Sequence, residues 1–71
     1  MEIERRILVM LKDGYTQDQI SHELKELEIT PNSVSSVEKI LKNIRKTYGA
    51  ITLFQLACIL YEEDYFEDDE D

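Results

Sequence analysis

Four basic residues cluster in the third predicted helical segment of this 71-residue chain. Lys39, Lys42 and Lys46 are spaced at i, i+3 and i+7, which places them on one face of a helix, and Arg45 is adjacent. Such a basic ridge can meet the phosphates of a nucleic acid, and Asn32, at the start of the segment, is of a type that pairs bidentately with adenine. If the chain binds DNA, these residues are the ones expected to contact it. A solvated helix face that binds nothing has the same pattern, and the residues alone favour that simpler interpretation.

Residues able to support catalysis or metal binding are few in this sequence. Cys58 lies among Ala57, Ile59 and Leu60, which predicts a small buried hydrophobe, and no His or Asp pairs with it to build a nucleophile. One His, His22, and one Cys do not make up a zinc site. A chain of this length also buries only a thin core, with little room for a deep cleft. We therefore expect neither an enzyme nor a metal site nor a cofactor.

The net charge of −8 is unevenly distributed along the chain. All eight basic residues lie within residues 1–61 beside eight acidic ones, whereas residues 62–71 contain eight acids and no base. This predicts a neutral domain over 1–61 and a disordered acidic C-terminal tail over 62–71, in which Tyr65 and Phe66 are able to dock. The tail is either a solubility device or a competitor of DNA for the basic ridge. The single cysteine favours a cytoplasmic location, and no stretch reaches the roughly 18 apolar residues that a membrane span needs.

Two helices are predicted in the first half of the chain. Apolar residues recur at helical spacing from Ile3 to Leu11, and Gly14 suits the left-handed position just past a helix. The second helix begins at Thr16, which forms a capping-box pattern with Gln19. The apolar face of this helix is predicted to consist of Ile20, Leu24 and Leu27.

Two further helices are predicted after a short turn. Thr30 is a good N-cap and Pro31 fits the first helical position, so a helix is expected over about 31–48, closed by Gly49. Thr52, with Gln55 three residues later, predicts another capped helix over 52–61. This last helix is apolar on more than one side, which suggests that a partner covers part of it.

Three stretches of the chain resemble LuxR/GerE-type DNA-binding domains. Residues 4–20 resemble the opening of those domains, where a leucine pair leads through a glycine and a Ser or Thr to a Glu/Gln-Ile pair. Residues 29–34, Ile-Thr-Pro-Asn-Ser-Val, look like that family's lead into its recognition helix. Residues 49–57 are similar to its link into the last helix. The resemblance covers residues 4 to 60, with Ser35 standing where the family often carries Lys.

The resemblance implies an all-α, four-helix helix-turn-helix bundle of the LuxR C-terminal type, acting as a sequence-specific transcriptional regulator. The recognition helix, about 31–48, would enter the major groove of double-stranded DNA, and the helix over 52–61 would form a homodimer. The alternative is a protein-interaction module, an anti-activator or adaptor that has lost DNA binding and pairs with another regulator protein. The residues expected to contact DNA are Thr16, Gln17, Asn32, Ser33, Ser35, Ser36, Lys39, Lys42, Arg45 and Lys46. Those expected in the dimer interface are Leu53, Phe54, Leu56, Ala57, Leu60 and Tyr61.

Overall fold

The computed structural model describes residues 2–67, and this part of the chain forms four α-helices and no β-strand. The helices are α1 (Glu2–Lys12), α2 (Gln17–Glu26), α3 (Val34–Tyr48) and α4 (Leu53–Glu62). The predicted all-α architecture is therefore confirmed. Within residues 2–67, none of the helices combines the length and the apolar content that crossing a bilayer requires.

The predicted capping box at the start of α2 is confirmed. The backbone N–H of Gln19 donates to Thr16 Oγ1 over 3.1 Å, and the backbone N–H of Thr16 donates to Gln19 Oε1 over 2.8 Å. At α4 only half of the predicted box forms, because the Gln55 side chain accepts from the N–H of Ile51 (2.7 Å) and not from that of Thr52. Both helices thus begin at the predicted residues, and in each the threonine hydroxyl satisfies one of the free N–H groups of the first turn.

The start of α3 differs from the prediction. Ser33, not Thr30, is the N-cap, and its Oγ accepts from the N–H of Ser36 over 3.0 Å. In a helix starting at Pro31, the carbonyl of Asn32 would accept from Ser36; here it accepts from the hydroxyl of Ser21 on α2 instead. The Thr30–Pro31 peptide bond is cis. The placement of Thr30 and Pro31 at a helix start was wrong, and Leu27–Ser33 forms a seven-residue link between α2 and α3.

Left-handed residues end α2 and α3. Gly49 has φ 69°, as predicted for the position after α3, and the N–H of Ala50 returns to the carbonyl of Arg45 over 2.8 Å. At the end of α2 the same role falls to Glu28, with φ 58°, a conformation that the sequence did not predict for a non-glycine residue. Leu27, predicted on the apolar face, is 46 % exposed because the helix ends at Glu26 and the chain turns away.

A single apolar core joins all four helices, and α3 packs against each of the other three. Its central position follows from a buried stripe at helical spacing, Val37, Leu41 and Ile44, which faces α1, α2 and α4 together. The core residues are Ile7, Leu8, Met10, Ile20, Leu24, Val37, Leu41, Ile44, Ala50, Leu56 and Leu60.

The chain after α4 packs back onto α1 as far as the structure describes it. Tyr65 and Phe66 lie partly buried against the core, with the ring of Tyr65 under the Arg5 guanidinium (5.1 Å to its centroid) and that of Phe66 near Lys12 Nζ (5.7 Å). Arg5 Nη1 also donates to the carbonyl of Tyr65 over 3.4 Å. Tyr65 and Phe66 therefore dock on the domain, as the sequence analysis allowed, whereas Glu63, Asp64 and Glu67 are exposed. The remainder of the predicted tail, 68–71, lies outside the described residues.

Tyr48, at the C-terminal end of α3, faces this packed segment. Burial raises the pKa of Tyr48 above its ordinary value of 10.0, and the nearby Tyr65, Glu63 and Glu4 raise it further. The neutral phenol is thus the form that the folded chain favours.

Candidate nucleic-acid interface

The three lysines of the predicted ridge lie on the face of α3 that is opposite the core. Lys39, Lys42 and Lys46 are all exposed, and Ser35, also exposed, continues their line by one turn toward the start of the helix. At about 100° per residue these four positions fall within about 60° of one another. We call this surface the lysine face. It leaves a straight row of cationic and hydroxyl groups in contact with solvent.

Carboxylates do not neutralise the lysine face within residues 2–67. The ion pairs found in this part of the chain, Arg6–Glu2 (3.5 Å) and Lys12–Asp13 (3.0 Å), both belong to α1 and its C-terminal end. Glu38, an exposed acid on α3, stands four residues before Lys42, but no ion pair joins them. With four bases and one acid, α3 carries a local charge of +3 in a chain whose net charge is −8.

Arg45 does not extend the lysine face. It lies four residues after the buried Leu41 and therefore on the core-proximal side of α3, where it is partly buried. Its Nη1 donates to the carbonyl of Ile51 in the link to α4, and its Nε is buried without a hydrogen-bond partner. This side chain therefore holds the α3–α4 link, and a contact between Arg45 and DNA stays a prediction.

The predicted polar contacts at the start of α3 are mostly engaged within the domain. Asn32 is partly buried, and its Nδ2 donates to the carbonyl of Ile29 over 3.0 Å. Ser33 caps α3, and its hydroxyl donates to Ser36 Oγ over 2.9 Å. Ser35 is exposed, and its hydroxyl makes no hydrogen bond within residues 2–67. Among Asn32, Ser33, Ser35 and Ser36, Ser35 is thus the residue whose side chain makes no hydrogen bond within residues 2–67.

The two predicted contacts on α2 lie at its N-terminus, and neither is fully available. The hydroxyl of Thr16 accepts within the capping box, and Gln17 is partly buried. Sequence reasoning overlooked Ser21, which is 2 % exposed and holds the start of α3 through the carbonyl of Asn32. Its spacing, one residue after Ile20 and three before Leu24, was the signal that it faces inward.

The predicted dimer residues divide into a buried and an exposed set. Leu56 and Leu60 are 2 % and 1 % exposed and belong to the domain's own core, so they are corrected from interface to core. Phe54 and Tyr61 are 80 % and 81 % exposed. The exposed members of the set are Leu53, Phe54, Ala57 and Tyr61.

Cys58 is exposed, contrary to the predicted burial. It lies two residues after the buried Leu56, about 200° around the helix and so turned away from the core. Together with the exposed set and Phe66 it lines an apolar groove of about 750 Å³ between α4 and α1. We call this surface the α4 groove.

No family model, curated protein or solved structure matches this chain. What the chain does is therefore inferred from its own two surfaces, the lysine face and the α4 groove. The seven-residue link between α2 and α3 is longer than the three- or four-residue turn of an ordinary helix-turn-helix.

Proposed function

We propose that this chain binds double-stranded DNA through the lysine face, as a transcriptional regulator of helix-turn-helix type. The observation that carries the proposal is the row Lys39, Lys42 and Lys46, exposed opposite the core and free of ion pairs within residues 2–67. The order of the helices and the residue patterns that resemble LuxR/GerE domains support the same function.

Size and charge fit α3 to a duplex groove. An α-helix with its side chains is about 10–12 Å across, and the major groove of DNA is about 12 Å wide. Lys39 and Lys46 are separated by about 10 Å along the helix axis, so the row meets phosphates along the groove wall. Ser35, nearer the start of the helix, is the side chain that would reach a base edge.

Affinity in this proposal comes chiefly from phosphates, and sequence discrimination is modest. Three lysines release few counterions, and a lone serine can bond to either base type. Asn32, the strongest reader among the predicted contacts, would first have to give up its bond to the carbonyl of Ile29. We therefore expect a weak preference among sequences, to which DNA shape contributes.

Fluorescence anisotropy with labelled duplex fragments, repeated from low to moderate salt, tests the proposal. Binding that weakens steeply as salt rises is expected of a phosphate-contacting protein. Absence of binding at the lowest salt would refute it.

A second candidate function is that of a protein-interaction module. The α4 groove favours it, since contiguous exposed apolar surface on a small domain marks a contact site. The diversion of Arg45 and Asn32 to structural hydrogen bonds points the same way. In that case substitutions in the lysine face leave the activity unchanged, whereas substitutions in the groove abolish it.

A further inference from the structure

We propose that the α4 groove binds a basic amphipathic helix of another protein. This goes beyond DNA binding and does not depend on it, because the groove and the lysine face are separate surfaces. The shape of the groove, its apolar lining and the negative charge beside it together fit such a helix.

The groove has the shape of a helix seat. Neither α1 nor α4 packs chiefly against the other; both pack on α3, so a channel stays open between them. Leu8 and Leu11 form its α1 wall, and Phe54, Ala57 and Tyr61 line the α4 wall. A channel between two helices receives a third helix by the same packing of ridges into grooves that builds helical domains.

The apolar side chains that line the groove differ in size along α4 in a way that suits a bound helix. Two large, highly exposed side chains, Phe54 and Tyr61, stand about two turns apart, and the small residues Ala57 and Cys58 lie between them. Small residues at the centre let a partner backbone approach, while the aromatic rings at either end supply the buried area. Aromatic anchors of this kind usually carry most of the binding energy of an interface.

The negative charge beside the groove favours a basic partner. Glu62 lines the groove, and the segment after it, with Glu63, Asp64 and Glu67, is exposed; the sequence then continues with four more acids. Among the described residues that line the groove, the basic one is Lys12. It already forms an ion pair with Asp13 at 3.0 Å. Lys or Arg along the flank of an apolar helix would complement this rim.

The same charge disfavours a second copy of this chain. An isologous pair would bring the same surface of each copy together, and with it two segments over 62–67 that each hold four acids and no base. Repulsion between such segments costs free energy that a basic partner would not encounter. The homodimer expected from the resemblance and the basic helix are thus competing occupants of one surface.

Titration of the full chain with a labelled model peptide tests the proposal. The probe is a 21-residue helix of Leu and Lys with Leu at i, i+3, i+4 and i+7, and its matched controls are a scrambled peptide of the same composition and a Leu/Glu peptide. We expect the Leu/Lys helix to bind at least tenfold more tightly than either control, and to slow the reaction of Cys58, the sole thiol, with a thiol reagent.

Variants separate groove binding from general attraction to an acidic protein. Phe54→Ser is expected to weaken binding at least tenfold, whereas Ile51→Ser, which removes a 79 % exposed apolar side chain outside the groove, leaves it unchanged. Equal binding to Phe54→Ser and to the parent chain would overturn the proposal, because charge alone would then explain the affinity. A dimer in sedimentation equilibrium without peptide, with Cys58 already protected, would overturn it in favour of the second copy.

Discussion

Replacement of the three lysines by glutamine, singly and together, is the most direct test of the lysine face. If Lys39, Lys42 and Lys46 each neutralise one phosphate, the slope of log K against log[salt] is about −2.7. Between 50 and 200 mM salt, affinity then falls about 40-fold. Each single Lys→Gln variant reduces the slope by about 0.9, so that its affinity falls only about 12-fold over the same range.

The assay is fluorescence anisotropy with one labelled duplex at four or more salt concentrations. Lys25→Gln is the matched control, since Lys25 is an exposed lysine on α2 and its replacement changes the net charge by the same amount. Its slope is expected to equal that of the parent chain. The lysine side chains are exposed, so their replacement is expected to alter unfolding free energies by no more than about 0.5 kcal/mol, which urea titration checks.

Two results would refute this reasoning. A triple variant that keeps the parent slope would show that phosphates meet a different surface. A Lys25→Gln variant that loses as much slope as Lys42→Gln would show that net charge governs the binding and that the row on α3 has no special part in it.

Three further predictions concern the fold that presents these surfaces. Ser21→Ala should lower the unfolding free energy, measured by urea titration, by about 1 kcal/mol, because the carbonyl of Asn32 loses its buried donor. An unchanged unfolding free energy would show that Ser21 does not support the start of α3. Gly49→Ala should cost about 1 kcal/mol in the same assay, through left-handed backbone strain alone, since an added Cβ meets nothing within 4 Å; a loss above about 3 kcal/mol would point to a clash. The raised pKa of Tyr48 means that the folded chain holds this proton more tightly than the unfolded chain. Its contribution to the unfolding free energy is therefore fully present below pH 10 and is lost as pH rises through the folded-state pKa. Tyr48→Phe should reduce this alkaline loss of stability, and a variant with the same alkaline profile as the parent chain would contradict the prediction.

Short-range signals made most of the fold predictable. The Thr16–Gln19 box and Gly49 have local stereochemical causes, and the structure confirms both. The start of α3 was mispredicted because Thr30 and Ser33 are both good caps, and the choice between them depends on Ser21, a residue on a different helix. No local pattern contains that information.

The candidate surfaces were predictable to a lesser degree. Helical spacing located the lysine row correctly, because exposure opposite a buried stripe is a property of one helix. The roles of Arg45 and Phe66 depend on contacts between elements: Arg45 bonds to the link before α4, and Phe66 lines the groove between α4 and α1. The sequence identified Tyr65 and Phe66 as the residues of the acidic tail that are able to dock, but it did not show that they pack on α1.

The contact between Arg5 and Tyr65 joins residues 60 positions apart, and this separation has a kinetic consequence. Closing a loop of that length costs about 3.6 kcal/mol of chain entropy, beyond a constant, if nothing else is yet folded, so the contact forms late, after α2 and α3 have shortened the effective loop. The N–H of Tyr65 donates to the carbonyl of Leu60 over 2.9 Å, and both aromatic rings of the segment pack on the core only in part. Its contacts with α1 include a long hydrogen bond of 3.4 Å and two cation–π contacts, so we expect it to open locally while the core remains intact. Amide exchange at residues 65–67 should therefore be fast relative to α3, and each opening would remove Phe66 from the lining of the α4 groove and widen it.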